Sequence, residues 1–443
     1  MNKAGVRVLF LTPAAFNKVT GGGITFSNLF AGWPIEAIAT IHNDPVPVSH
    51  DVCNQYFRLT EREIHRWGWL RHIPVGKPTG TIAASPGRSG FRGWVLSLLK
   101  TVKTWVFGDG IPEETCLTPE LEQWTEVFHP TVLYTILGSN AMMELAERLR
   151  VRFRLPLVVH IMDDWASVVY RGGLLSPWQR GKKERLIRHM MDASAARFAI
   201  CEDMAEAYRR RYRQPFLSFQ NAIDVGLWQR FEKDPRVVGS PVRVAYIGSV
   251  LPFAQLDSLI DCGRAIQALR DEGFQIRLEI YSPPHLAEQY RQQLLVGTAV
   301  SLHDTIPDDE TFFATLQAVD ILVLPVNFDP YTIEFIRYSM PTKIPAYLTV
   351  GTPILAYGPE EVAQIAYAAT AGWGLVVTTR DIEQLKRAFR QLSTDMSLRA
   401  ELTGHARTAA AQRHDAPIVR SEFQAALTRA SNSNERRFHD SAI

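Results

Sequence analysis

The chain has 443 residues, 46% of them hydrophobic and 21% charged, with a formal net charge of +2. That length suggests two or three domains of ~100–200 residues. The composition excludes overall disorder, and the near-neutral balance excludes a strongly basic nucleic-acid binder. Four scattered cysteines, Cys53, Cys116, Cys201 and Cys262, form no Cys-x-x-Cys pair. Neither a zinc site nor a disulfide framework is therefore expected, and a reducing compartment is the default. Residues 1–6 carry no long apolar stretch, and no run of ~18 apolar residues occurs anywhere. A cytoplasmic protein without a secretory signal or a membrane-spanning helix is the expectation.

From the N-terminus, 6–11 is an apolar run of strand length interrupted by Arg7. Gly21-Gly22-Gly23 follows, then a helical pattern over 24–33. Strand, glycine loop and helix are how doubly wound α/β domains begin. Buried strands are predicted over 35–41, 132–136, 157–161 and 197–200, with helices over 140–151 and 177–195. The second half restarts the alternation. Its strands fall at 242–247, 275–281, 300–303, 321–325, 354–357 and 375–378, and its helices at 255–271, 284–295, 308–318 and 381–392. Polar, Pro- and Gly-containing 232–241 divides the halves. The expected fold is α/β, with two Rossmann-like doubly wound domains facing a cleft, 1–235 and 236–415. A helix over 416–430 crosses back to the first domain, and 431–443 is a flexible tail.

Residues 51–130 break the alternation and read as an insertion. Between Glu61 and Lys103, eight basic residues stand against two acidic ones, a local charge of +6. Phe91, Trp94, Val95, Leu98, Leu99, Val102, Trp105 and Val106 recur at helical spacing, with Arg92, Lys100 and Lys103 elsewhere on the wheel. A basic amphipathic helix bearing tryptophans suits an anionic membrane surface. A core-facing helix with solvated lysines fits the pattern equally well.

The segment Ser339-Met340-Pro341-Thr342-Lys343-Ile344-Pro345 reads as a loop entering a short helix, with Pro345 in the first turn, where it needs no N–H. Lys343 then sits beside free backbone N–H groups and the positive end of the helix, a setting that draws phosphate. A plainly solvated lysine is the alternative. Strand ends in the second half lead to Ser249, Tyr281-Ser282 and Thr305-Ile306-Pro307, where ligands of open α/β sheets gather. Gly21-Gly22-Gly23 has neither the Gly-x-Gly-x-x-Gly nor the Gly-Lys-Ser/Thr pattern, so it is not a dinucleotide or P-loop signature.

Five pieces stand out in order along the chain: Ile200-Cys201-Glu202-Asp203-Met204, Asn221-Ala222-Ile223-Asp224, Tyr246-Ile247-Gly248-Ser249, Ala318 to Pro325, and Lys343 to Pro353. Together they resemble the two-domain GT-B glycosyltransferases, most closely glycosyl transferases group 1. The resemblance covers nearly the whole chain and is strongest over 157–359. It implies a nucleotide sugar, UDP- or GDP-linked, bound by the second domain through Lys343, Thr342, Ser249, Ser282, Ile306 and Tyr331, with Gly22 and Gly23 near the phosphates from the first. A flexible turn is the other reading of those glycines. His160-Ile161-Met162-Asp163-Asp164 follows a strand and is expected to open into the cleft, Asp163 as base and His160 as base or sugar contact. The rival readings are an interior histidine and a helix N-cap.

The chain departs from the family where two glutamates spaced by seven residues are expected: Tyr338 and Ala346 stand there. Glu334, four residues upstream, is the substitute candidate. The arginine and lysine of the Gly-Arg-x-x-x-x-Lys loop are also absent, since Ser249 follows Gly248. No Asp-x-Asp pair is present to bridge phosphates through a metal, so no cofactor and no metal are expected. The reading is a metal-independent glycosyltransferase acting on a glycan or lipid-linked glycan in polysaccharide or cell-envelope synthesis, peripheral at the inner face of the membrane. The rival is a catalytically silent protein of the same fold that binds glycan or a partner at a membrane.

Overall fold

The computed structural model describes residues 5–66, 106 and 112–433. Its strands are β1 (Val8–Thr12), β2 (Ile38–His42), β3 (Gln55–Arg58), β4 (Ile64–Arg66), β5 (Glu113–Thr115), β6 (Val132–Ile136), β7 (Leu157–Ile161), β8 (Ser194–Ala199) and β9 (Leu217–Ser218), followed by β10 (Val242–Ile247), β11 (Ile276–Tyr281), β12 (Val300–His303), β13 (Ile321–Pro325), β14 (Ile354–Tyr357) and β15 (Gly374–Val377). The first sheet runs β3-β2-β1-β6-β7-β8-β9 and the second β12-β11-β10-β13-β14-β15. Every pairing within them is parallel. The strand order reverses at β1/β6 and again at β10/β13, and ligands of such sheets bind beyond the carboxyl ends at these points.

Strand parity sorts each sheet into two cores. In the first, Leu9, Leu11, Leu133, Val159 and Ile161 pack on one face. Val8, Phe10, Tyr134, Val158 and Phe198 pack on the other. The helix Ala416–Ser431 lies against that second face, with Phe423 edge-on to Phe30 at 5.0 Å and to Phe219 at 5.3 Å. The chain leaves and re-enters the first domain side by side. Ile223 pairs with Asp415, and the Ile223 N–H donates to His414 O at 3.0 Å. Buried Arg399 holds the stretch after that crossing to the second domain by donating to the carbonyls of Pro235, Asp320 and Leu392.

The structure corrects three boundaries. The glycine triplet is not a loop but the first turn of the helix Gly21–Phe30, N-capped by Thr20, whose Oγ1 accepts from the Gly23 N–H. Gly23 is buried, and a Cβ there would lie 2.3 Å from Asn17 Nδ2. Asn17 cannot easily yield: its amide donates to Ala15 O at 2.9 Å, and its Oδ1 accepts from Val19 N and Thr20 N. Gly23→Ala is therefore expected to cost about 1–3 kcal/mol by overpacking, read from the shift of the urea unfolding midpoint. The insertion is shorter than 51–130, because Gln55–Arg58 is a parallel edge strand of the sheet and Pro119–Phe128 a helix N-capped by Thr118. The helix expected over 284–295 is broken into Pro284–Ala287, Glu288–Tyr290 and Arg291–Leu294. The 18-residue helix Met396–Arg413 was not expected. Among the described residues no helix is long and apolar enough to cross a membrane.

Candidate functional site

The second domain's switch point carries Lys343. It is the N-cap of the helix Ile344–Thr349, but its side chain does not hang at the helix mouth. It reaches back to the end of β10, where Nζ donates to Ile247 O at 3.0 Å and stands 3.8 Å from the centroid of the Tyr246 ring. The ring face offsets part of the cost of holding a cation there. Among the described residues no carboxylate pairs with Lys343. The residue is half-buried, and the protein packed around its amine draws its pKa down to about 7 by desolvation.

Gly248 makes this approach possible. Its φ is +147°, and a Cβ would lie 3.1 Å from Lys343 Nζ and 3.3 Å from the Tyr246 hydroxyl. No L side chain takes that backbone conformation readily. Asn327, at the carboxyl end of β13, is fully buried and pins the loop after β10: its Nδ2 donates to Pro252 O at 2.8 Å and its Oδ1 accepts from Ser258 N. At the end of β11, the Ser282 hydroxyl is buried and has no hydrogen-bond partner among the described residues. Ser249 is exposed on the loop after β10, and Ile306 is half-buried after β12. Tyr331 is exposed and stacks on Phe335 with centroids 6.3 Å apart.

The first domain closes on this point through a few contacts. A Cβ on Gly21 would meet the Thr342 methyl at 3.5 Å. Gly21, rather than Gly22 or Gly23, thus faces the second domain; Gly23 turns away onto Asn17. Asn221 Nδ2 donates to Thr342 O at 2.7 Å, while its Oδ1 accepts from Asn28 at 2.9 Å. Ser339 Oγ donates to Asp163 Oδ1 at 2.6 Å. Asp163 is open to solvent although protein surrounds it on the other sides. That burial raises its pKa, with the adjacent Asp164 adding and the Ser339 hydrogen bond opposing. Asp164 occupies the N-cap position of the helix Trp165–Val168 without a side-chain cap, and instead accepts from the buried Tyr208 hydroxyl at 2.5 Å. Glu334 pairs with Arg171 of the first domain.

His160 does not open into the cleft. It shares its face of β7 with Val158, is fully buried, and sits 2.5 Å through Nδ1 from the Tyr134 hydroxyl, among Phe26 and Phe198. Burial drives its pKa down to about 3, so the ring is neutral. It is the interior histidine of the two readings. Ala346, one of the expected glutamate positions, is buried in the second domain's core, and Tyr338 packs half-buried against the first. Arg92, Trp94, Lys100, Lys103 and Trp105 lie outside the described residues. Sequence reasoning missed Tyr246, Arg171 and Gly21 as site residues. Gly248, placed directly after a buried strand, was the available signal for a cation tucked beneath the loop.

Two parallel doubly wound domains, with their carboxyl ends meeting across a cleft, define the GT-B architecture. No protein-family model and no curated protein matches this chain. Solved structures do, over nearly the full length of both chains. Sucrose-phosphate synthase from Thermosynechococcus elongatus is 14% identical with a TM-score of 0.58, covering 94% of this chain and 97% of that one. Anabaena HepE, in complex with UDP, is 13% identical with a TM-score of 0.59, covering 96% and 100%. WaaG, a glycosyltransferase involved in lipopolysaccharide biosynthesis, is 12% identical with a TM-score of 0.54, covering 94% and 99%. The fold that the sequence resemblance implied is thus the fold of these glycosyltransferases.

Proposed function

We propose that the protein is a glycosyltransferase that moves a sugar from a nucleoside-diphosphate sugar, UDP- or GDP-linked, to a glycan or lipid-linked glycan. The observation that carries this reading is Lys343. An amine with no carboxylate partner among the described residues stands at the switch point of an open α/β sheet, where Gly248 admits it and first-domain residues approach. A diphosphate there supplies the missing counter-charge, and the same amine stabilises charge as the nucleoside diphosphate departs. Transfer without a metal belongs to this reading, with Lys343 in the neutralising role. Asp163 is the group placed to take the proton of an acceptor hydroxyl.

HepE has been solved with UDP and with UDP-glucose, and WaaG acts in lipopolysaccharide biosynthesis. Those neighbours support a nucleotide-sugar donor and a cell-envelope glycan acceptor for this chain. Attachment at the membrane's inner face rests on the basic, tryptophan-bearing segment around Trp94 and Trp105. A thermal-shift screen against UDP-, GDP- and dTDP-sugars tests the donor. A true donor at ~100 times its dissociation constant adds about 2.7 kcal/mol and raises Tm. A folded sample that shifts with none of them turns the reading to a silent glycan-binding protein.

A further inference from the structure

A groove of about 420 Å³ opens where the two domains meet, and Met340 lines it. None of the cleft groups described above, Lys343, Gly248, Ser282, Asp163 or Glu334, does so. Its size lies within the ~300–1,000 Å³ usual for small-molecule sites. The first domain contributes Asp203 and Gln220, the second Tyr367, and the long helix before the return crossing Thr408, Gln412 and Arg413.

The chemistry of this lining is specific. Gln220 is 9% exposed, and its Oε1 has no hydrogen-bond partner among the described residues. Buried amides without partners are rare, and a ligand hydroxyl would satisfy this one after a small rotation. Among the described residues, the side chains of Asp203 and Gln412 also make no hydrogen bond or ion pair. The neighbouring Glu202 is matched by Arg413 at 2.5 Å, which removes the strongest attraction for a cation. Thr408 gives its proton to Gly404 O at 2.9 Å and keeps lone pairs free to accept. The Tyr367 ring is held by its hydroxyl against His414 Nε2 at 3.1 Å. An anion would meet the Asp203 carboxylate while the Arg413 charge is already taken by Glu202, and an apolar ligand would leave Asp203 and Gln220 desolvated and unpaired. Two amides, a carboxylate, an accepting hydroxyl and an aromatic ring together suit a neutral polyol.

We propose that this groove is a second binding site, separate from the nucleotide site, for an uncharged mono- or disaccharide unit. Its walls come from both sides of the paired crossings at Ile223 and Asp415, so an occupied groove favours the domain arrangement seen here. The inference does not depend on the nucleotide-sugar reading.

Saturation-transfer NMR on the full chain tests it, with glucose, N-acetylglucosamine and maltose as probes, with and without saturating UDP, alongside Thr408→Trp. Thr408 is exposed on its helix, so the substitution fills the groove without touching the core, and an unchanged Tm and circular dichroism verify that. The expected result is a signal from at least one saccharide that persists with UDP and weakens at least tenfold in Thr408→Trp. Absence of a signal from all three, loss of the signal with UDP, an undiminished signal in the variant, or displacement of the sugar by putrescine would each overturn the proposal. Because the signal is read without UDP as well, a chain that binds no nucleotide still answers the question.

Discussion

Lys343→Ala weakens binding of the nucleoside diphosphate by about ten- to 150-fold, as expected for loss of a charge-assisted hydrogen bond worth ~1.5–3 kcal/mol. Calorimetry with UDP and GDP measures it. The effect should be large because the chain lacks the arginine and lysine that its resemblance leads one to expect after Gly248, which leaves Lys343 as the cation at the switch point. Its pKa gives a second readout. In the free protein burial holds it at about 7, and a bound diphosphate, being an anion, raises it. Binding above pH 7 must therefore take up a proton, and affinity falls by about tenfold per pH unit from there until the bound-state pKa is passed. Enthalpies measured in buffers of different ionisation heat report that proton directly. In Lys343→Ala both the uptake and this pH dependence vanish. Wild-type affinity in the variant, or binding without proton uptake, would place the diphosphate elsewhere.

The sheets were legible because their central strands are buried on both faces and so read as short apolar runs between helical patterns. Val132–Ile136, Leu157–Ile161, Val242–Ile247, Val300–His303, Ile321–Pro325 and Ile354–Tyr357 fall where the sequence places them. The misread parts have physical causes. Gly21-Gly22-Gly23 lacks helix propensity, yet the Thr20 cap and close packing on Asn17 make it helical. His160 looked like a cleft residue because it nears a strand's carboxyl end. Parity along β7 sets it with Val158 instead, on the face covered by the Ala416–Ser431 helix. That helix lies some 250 residues further along the chain, and strand alternation alone does not say which face it covers. Lys343 was recognised by position but not by orientation: the sequence points to a helix mouth, whereas Tyr246 and Gly248 draw the amine to β10. The Arg171–Glu334 pair joins residues from different domains, which local pattern does not bring together.

Asp163→Asn should lower turnover by about 10²–10⁴-fold, the usual contribution of a positioned base, while leaving the dissociation constant of the nucleotide within twofold. The asparagine keeps the side-chain shape and can still accept from Ser339 Oγ, so the interdomain contact survives while the basic oxygen is lost. The measurement is nucleoside-diphosphate release from whichever donor stabilises the protein most, with glycan acceptors present. The pH profile separates base from scaffold. Protein packed around the solvent-facing Asp163 holds its pKa above the ordinary carboxylate value, and a base works only when ionised, so activity falls as pH drops through that raised pKa. Ser339→Ala removes the hydrogen bond that opposes the rise, and the acid limb should then move to higher pH. A scaffolding carboxylate would instead change domain packing and leave the limb in place. Normal turnover in Asp163→Asn would pass the role to Glu334, whose release from Arg171 by Arg171→Met is then the informative experiment.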